Sequence, residues 1–184
     1  FEQWYLQPAF LVLGAAWYGL LSTISFLLFP VRKVQDQLYA SYNALGSFLF
    51  AKSNLFDVDM TPSSYQQSMI DIALENGKLV AIFNDMRMSL LTRLKGDRGQ
   101  KDTRRSLQYY FVAQDIHERA DSAHIDYQKL AKVFQHSDIL FRFQRILFIK
   151  AKACKDLSHS ILHRKTYQHN KRFKHAFANL KLSL

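Results

Sequence analysis

Residues 9–29 read AFLVLGAAWYGLLSTISFLLF and contain no charged side chain. An α-helix rises about 1.5 Å per residue, so roughly 20 apolar residues cross the roughly 30 Å hydrocarbon layer of a bilayer. The stretch therefore predicts one transmembrane helix. A buried helix of a soluble protein is the alternative, and the length of the uncharged run disfavours it, because such helices usually have apolar runs of roughly 10–14 residues.

The residues that flank this stretch indicate its orientation. Glu2, Trp4 and Tyr5 precede it, whereas Arg32 and Lys33 follow it. Lys and Arg are enriched on the cytoplasmic side of membrane helices, and Trp and Tyr are enriched at the interfaces. We therefore expect the rest of the chain to be cytoplasmic.

One face of the predicted membrane helix is formed by small side chains. Ala15, Gly19 and Ser22 share this face, and bulky apolar residues occupy another. Small side chains allow membrane helices to approach closely. These three residues are predicted to pack against other membrane helices of the same full-length chain.

The chain is basic, and the excess charge is concentrated near its end. The 184 residues have a formal net charge of +10, and no acidic residue follows Asp156. A segment that returns to an anionic inner leaflet has this pattern, and so does a nucleic-acid-binding tail. Because no nucleic-acid-binding module is recognisable, we predict no nucleic-acid partner. The single Cys154 cannot form an internal disulfide, which fits a reducing compartment.

The sequence after Pro30 predicts a series of helices. Apolar residues recur at spacings of three, four and seven, and no segment alternates with a period of two. Thr61, Asp102 and Ser137 are predicted N-caps, with Pro62 at the first helical position. The predicted helices span residues 31–56, 62–95, 102–134, 139–161 and 171–184.

Long helices joined by short loops favour an antiparallel bundle. The predicted fold is all-α, with one transmembrane helix leading into a cytoplasmic antiparallel bundle of long helices. The predicted domains are the transmembrane helix, residues 1–30, and the cytoplasmic bundle, residues 31–184.

Two groups of side chains invite a metal or catalytic interpretation. His117, Asp121 and His124 share one helical face, and Asp156, His159 and His163 share another. Such faces more often form hydrogen bonds and ion pairs with a neighbouring helix, and no further Cys or carboxylate cluster completes either group. His117 and Glu118 also lack the second His of the zinc-protease signature. We predict no catalytic residue, no metal site and no cofactor, and we expect that the protein is not an enzyme.

Three motifs resemble one known family. Residues 98–105 (RGQKDTRR), 109–119 (YYFVAQDIHER) and 136–145 (HSDILFRFQR) are similar to the YccS/YhfK branch of the fusaric-acid-resistance-like (FUSC) inner-membrane proteins of Gram-negative bacteria. Trp4, Tyr5 and residues 167–169 (YQH) agree with the same pattern. The resemblance covers nearly the whole chain.

The resemblance implies two membrane-helix bundles with a cytoplasmic helical domain after the first bundle, in the bacterial inner membrane. It also implies a transporter-like protein, related to exporters of aromatic acids, in which this domain has a regulatory or assembly role. The alternative is a membrane-tethered helical scaffold for oligomerisation or partner binding without transport. The lipid bilayer and a second copy of the chain are the expected partners.

No substrate-binding residue is implied by the resemblance. Polar residues of the motifs and of the basic run at residues 98–105 are instead candidates for helix–helix or interdomain contacts, although such a basic run more often forms a solvated surface. These candidates are Arg98, Arg104, Arg105, Asp115, His117, Glu118, Arg119, Asp138, Arg142 and Arg145.

Overall fold

The computed structural model describes most of the chain, and helices are the regular secondary structure of the described residues. The described residues are 6–28, 32–57, 60–94, 100–122, 127–134, 137–168 and 172–183. The helices are α1 (Leu6–Leu28), α2 (Arg32–Asn54), α3 (Pro62–Leu94), α4 (Gln100–Asp121), α5 (Tyr127–Val133), α6 (Ile139–Leu162) and α7 (Arg172–Ser183). The all-α prediction is confirmed. The chain divides into two compact units, Phe1–Lys33 and Val34–Leu184.

Helix α1 lies wholly within the first unit, and its described side chains form an apolar, accessible surface. The side chains of residues 8–24 are all exposed, with 65% of Trp17 and 69% of Phe10 accessible. Ala15, Gly19 and Ser22 are among these exposed residues. Within the described part of the chain, no helix reaches the length and apolarity of a membrane span, so the predicted transmembrane helix is not confirmed.

Helix α2 is the central helix of the second unit. Apolar side chains are buried along its length, because spacings of three and four place them on one face. They pack against the inward faces of α3, α4 and α6 in one hydrophobic cluster. The α2 members of this cluster are Val34, Leu38, Tyr42, Leu45, Phe48 and Leu49.

Contacts between helices show the direction in which each one runs. Residues near the start of α2 contact the end of α6 and residues near the end of α2 contact the start of α6, so these helices are antiparallel. By the same criterion α3 is antiparallel to α4, whereas α2 and α4 run in the same direction. The contacts are Tyr39–His159, Phe50–Phe148 and, two residues beyond the end of α2, Phe56–Phe143 for α2 and α6, Phe83–Tyr110 and Asn76–His117 for α3 and α4, and Tyr42–Tyr109 and Lys52–Ala120 for α2 and α4.

Gly46 allows α2 and α6 to approach closely. A Cβ atom built on Gly46 would lie 2.7 Å from Cγ of Lys155 and 2.9 Å from the carbonyl oxygen of Ala151. Because the second contact is to backbone, a side chain at this position would require the helix itself to shift. The distance between the two helices therefore depends on this glycine.

The single helix predicted for residues 102–134 is wrong after Asp121. Helix α4 ends at Asp121, and α5 starts only at Tyr127. Tyr127 packs in a second hydrophobic cluster with Leu55, Phe56 and Leu140. Asp121 and Ser122 are weak helix formers that compete for backbone hydrogen bonds, which favours a helix end at this point.

Two of the three predicted N-caps differ in the structure. Thr61 does cap α3, since its Oγ1 accepts a hydrogen bond of 3.2 Å from the N–H of Ser64. Helix α4 begins at Gln100, so Asp102 lies in its first turn rather than before it. The N-cap of α6 is Asp138 rather than Ser137, and the Asp138 side chain caps no N–H group.

Helix α7 packs on α6. The Arg142 guanidinium donates to the carbonyl of Asn179 at 2.7 Å, and the Lys150 ammonium lies 5.6 Å from the centre of the Phe173 ring. Leu180 is buried beside them. The two helices are therefore antiparallel.

Candidate functional site

Three helices contribute polar side chains to one place in the bundle. Lys52 of α2, Asn76 of α3, and His117 and Asp121 of α4 form what we call the polar cluster. Lys52 and His117 are each only 9% accessible. Buried polar groups are costly without hydrogen-bond partners, so their pairing determines what the cluster can do.

His117 joins α4 to α3. Its Nε2 atom lies 2.6 Å from Oδ1 of Asn76, and because an amide oxygen only accepts, Nε2 carries the hydrogen. The imidazole also makes edge-on contacts with the rings of Phe48 and Phe83, at centroid distances of 5.3 and 5.7 Å. Burial lowers the pKa of His117, and the negative charge of Asp121 opposes this shift only in part. His117 is therefore a neutral hydrogen-bond donor at neutral pH.

Lys52 joins α2 to the end of α4. Its ammonium donates to the carbonyl of Ala120, in the last turn of α4, and lies 5.9 Å from the centre of the Phe48 ring. The last carbonyls of a helix lack partners within the helix and carry partial negative charge, which favours a cation there. Burial lowers the pKa of Lys52, whereas Asp121 raises it. The ammonium thus acts as a cap for α4.

The polar cluster holds helices together rather than presenting free reactive groups. The His117 N–H and the Lys52 ammonium both have partners on another helix. Among the described residues, no group of three or more His, Cys, Asp or Glu side chains is arranged to hold a metal ion. His124 lies outside the described residues, and so does its predicted grouping with His117 and Asp121.

The second predicted histidine face lies along α6. The His159 ring contacts the edge of Tyr39 at 5.7 Å, and His163 is the C-cap residue, whose N–H bonds to the His159 carbonyl at 3.0 Å. The Asp156 carbonyl accepts a hydrogen bond from the Ser160 hydroxyl. His159 therefore takes part in packing between α2 and α6.

The predicted contact residues of α4 lie on its exposed side, apart from His117. The Arg119 guanidinium bonds to the Asp115 carboxylate at 2.9 Å, one turn earlier on the same helix. Glu118 accepts a hydrogen bond from Gln114, also within α4. Arg104 and Arg105 are exposed, and Arg98 lies outside the described residues.

The predicted contact residues of α6 lie near its start. The Arg142 guanidinium bonds to the Asp138 carboxylate at 2.5 Å, and this hydrogen bond holds the pKa of Asp138 below its ordinary value. Since Arg142 also donates to Asn179, it links α6 to α7. Arg145 is exposed.

A groove of about 410 Å³ lies between α2 and the first half of α3. Phe50 and Leu74 supply its apolar lining. Its charged side chains already have partners within α3, since Gln67 donates to Asp71 and Lys78 pairs with Glu75. The groove therefore offers no charged group that requires a ligand.

Two members of the polar cluster, Lys52 and Asn76, have no clear signature in the sequence. Lysine is rarely buried, so nothing in the sequence singled out Lys52. Asn76 pairs with His117 across 41 residues of sequence, which no local pattern reveals. Lys52 lies four residues after Phe48 and Asn76 lies four residues after Ile72, on the inward faces of their helices, and this spacing is the only local signal that they carry.

Together these features define a class of protein: an all-α bundle, joined by buried polar contacts, that follows an exposed apolar helix. The family model described as FUSC-like inner membrane protein yccS matches residues 1–184. The chain belongs to this FUSC-like family of inner membrane proteins.

Two curated relatives support this assignment. The chain is 52% identical over 184 residues to the inner membrane protein YccS of Escherichia coli (strain K12), covering 100% of the chain and 26% of that protein. It is 37% identical over 173 residues to an uncharacterized protein of Haemophilus influenzae, covering 94% of the chain and 24% of that protein. The chain thus spans about a quarter of the length of these relatives. No solved structure matches it.

Proposed function

We propose that the chain is one membrane helix and the adjoining cytoplasmic domain of a transporter-like protein of the bacterial inner membrane. The match of its whole length to a family of inner membrane proteins is the observation that carries this proposal. The uncharged run at residues 9–29 and the exposed apolar side chains of α1 support a lipid environment for this helix.

The bundle has a regulatory or assembly role in this proposal and no enzymatic one. Its buried polar groups are used in contacts between helices, as the His117–Asn76 and Lys52–Ala120 pairs illustrate. Such contacts suit a structural role for the bundle. Small molecules such as aromatic acids, which the family resemblance suggests as transported substrates, would cross through the membrane part of the full-length protein.

Deletion of the gene tests the transport role. The deletion strain should accumulate more of an exported aromatic acid and become more sensitive to it, and the full-length protein supplied in trans should reverse both effects. Unchanged accumulation and sensitivity over a panel of aromatic acids would refute aromatic-acid export.

A membrane-tethered scaffold is the second candidate function. It is favoured by the apolar residues that α3 exposes, including Ile70 at 53% and Leu74 at 58% accessibility. If the protein is a scaffold, its deletion leaves aromatic-acid accumulation and sensitivity unchanged. In the parent strain, the full-length protein nevertheless self-associates or binds a partner.

A further inference from the structure

Helix α3 carries a second apolar stripe on its exposed side, and Leu74, at one edge of this stripe, also borders the groove beside α2. Its members are exposed and follow one another at alternating spacings of four and three residues, which is the heptad pattern of helices that pair along their length. We call this set the outer stripe. It consists of Ile70, Leu74, Gly77, Ala81, Asn84, Met88 and Leu91.

The inward face of the same helix is separate from the outer stripe. Leu79, Phe83, Met86 and Leu90 are buried in the bundle, whereas 64% of Met88 and 44% of Leu91 remain accessible. A helix on the surface of a bundle normally carries one apolar face toward the core and polar residues opposite. The outer stripe is therefore an apolar surface beyond what the bundle needs.

Gly77 points to close contact at this surface. Among the described residues, none lies within 4 Å of a Cβ built on Gly77, whereas the same test at Gly46 finds α6 at 2.7 Å. Glycine within a helix costs about 1 kcal/mol relative to alanine. Packing inside the chain explains Gly46 and does not explain Gly77, but a second helix lying against the outer stripe would.

We infer that the outer stripe is a self-interface at which α3 of two copies of this chain pack antiparallel. This inference deepens the assembly role proposed above and rests on it. Asn84 is the one polar side chain of the stripe.

Charge complementarity selects the antiparallel arrangement. In the register that places Leu74 opposite Leu91 of the partner subunit, Met88 lies opposite the open surface of Gly77, and Lys78 lies beside Asp85 of the partner subunit. The two-fold symmetry repeats the Lys78–Asp85 pair, so the interface gains two pairs of opposite charge. A parallel arrangement brings these two charges together in neither copy.

The same flanking charges disfavour a lipid surface as the occupant. Asp71, Lys78 and Asp85 follow one another along one edge of the outer stripe, and Arg87 is the charged residue of the other edge. A helix that binds an anionic membrane carries an excess of Lys and Arg beside its apolar face. The two edges together carry two acidic and two basic residues and therefore no such excess, which fits a protein partner better.

Disulfide cross-linking of the full-length protein in its native membrane tests the interface. Leu74→Cys and Leu91→Cys, combined in one chain, should give a dimer on oxidation, because each new thiol faces the other residue's position in the partner subunit. Each single variant should give little dimer, since identical positions then lie roughly 25 Å apart along the helix axis. Val112→Cys, on the exposed side of α4, is the matched control, with 54% accessibility in the parent.

A charge reversal tests the register independently of the new thiols. Lys78→Asp in the double-cysteine background should reduce the dimer band, and adding Asp85→Lys should restore it. Because Lys78 also pairs with Glu75, Glu75→Gln should leave the band unchanged.

Three outcomes would overturn the inference. Dimer formation by either single variant would indicate a parallel pair. Absence of the dimer in the double-cysteine variant would indicate another occupant of the stripe. Failure of Asp85→Lys to restore the dimer band in the Lys78→Asp background would refute the proposed register. Aromatic-acid sensitivity is measured in the same strains. A missing dimer with an intact export phenotype would refute the interface alone, whereas an intact dimer without that phenotype would refute transport alone.

Discussion

Alanine substitution at two glycines of the bundle should change stability by clearly different amounts. The methyl group of Gly46→Ala would lie 2.7 Å from Lys155 and 2.9 Å from the backbone of Ala151, so α2 and α6 must move apart. Overpacking of this kind costs about 1–3 kcal/mol. The methyl group of Gly77→Ala meets no described neighbour within 4 Å.

The two variants share the gain in helix propensity, which is about 1 kcal/mol for replacing glycine by alanine within a helix. This shared gain cancels when the variants are compared, so the difference of about 1–3 kcal/mol isolates the steric clash at Gly46. We expect Gly77→Ala to raise the free energy of unfolding by about 1 kcal/mol and Gly46→Ala to lower it or leave it unchanged.

Urea unfolding of the chain in detergent micelles, at concentrations where it is monomeric and followed by circular dichroism, measures both values. The slope of the free energy against urea concentration serves as the control, since an unchanged slope shows that the unfolding transition exposes the same surface. Equal free energies of unfolding for the two variants would refute the close approach of α2 and α6 at Gly46.

Three further predictions concern the polar cluster and the core. The free energy of unfolding should fall as the pH drops below 6.5, the ordinary pKa of a histidine, because the unfolded state then binds a proton that the buried His117 imidazole does not. Urea titrations at a series of pH values measure this dependence, and His117→Gln should make it weaker. An unchanged dependence of the free energy on pH in this variant would contradict the lowered pKa of His117. Asn76→Leu should cost about 1–3 kcal/mol in chemical unfolding, because it leaves the His117 N–H without its acceptor, whereas a neutral effect would exclude that hydrogen bond. Leu45→Ala, at a side chain with 0% accessibility, should cost about 2–5 kcal/mol by thermal or urea unfolding, and a cost below 1 kcal/mol would place Leu45 outside the core.

The sequence was most informative where one helix has one apolar face. Val34, Leu38, Tyr42, Leu45 and Leu49 recur at helical spacing, and all are buried, because α2 is surrounded by neighbours of the second unit. The start of α3 was equally predictable. Thr61 followed by Pro62 is a local signal that needs no tertiary contact.

Other features depend on contacts that are distant in sequence. The apolar spacing continues from Ala120 past Ser122 to Tyr127, so periodicity alone predicts one helix where the structure has two. On α3, Met69 lies at helical spacing from Ile72 but is 45% accessible, because the helix carries apolar residues on more than one side and spacing does not reveal which side meets the core. The Lys52 contact with Ala120 joins residues 68 apart and has no local signature.

The central claim is that α1 lies in the inner membrane and that the bundle is on its cytoplasmic side. Labelling by a membrane-impermeant maleimide in intact cells tests it most directly, using full-length protein in which cysteines outside this chain are replaced. Cys154 is buried and its pKa is raised to about 11, so it should stay unlabelled. Lys152→Cys, on the exposed side of α6, provides the reporter, and Gln3→Cys provides the matched position before α1.

The account predicts that Gln3→Cys is labelled in intact cells and that Lys152→Cys is labelled only after the inner membrane is permeabilised. Labelling of Lys152→Cys in intact cells, or release of the protein into the soluble fraction, would contradict it.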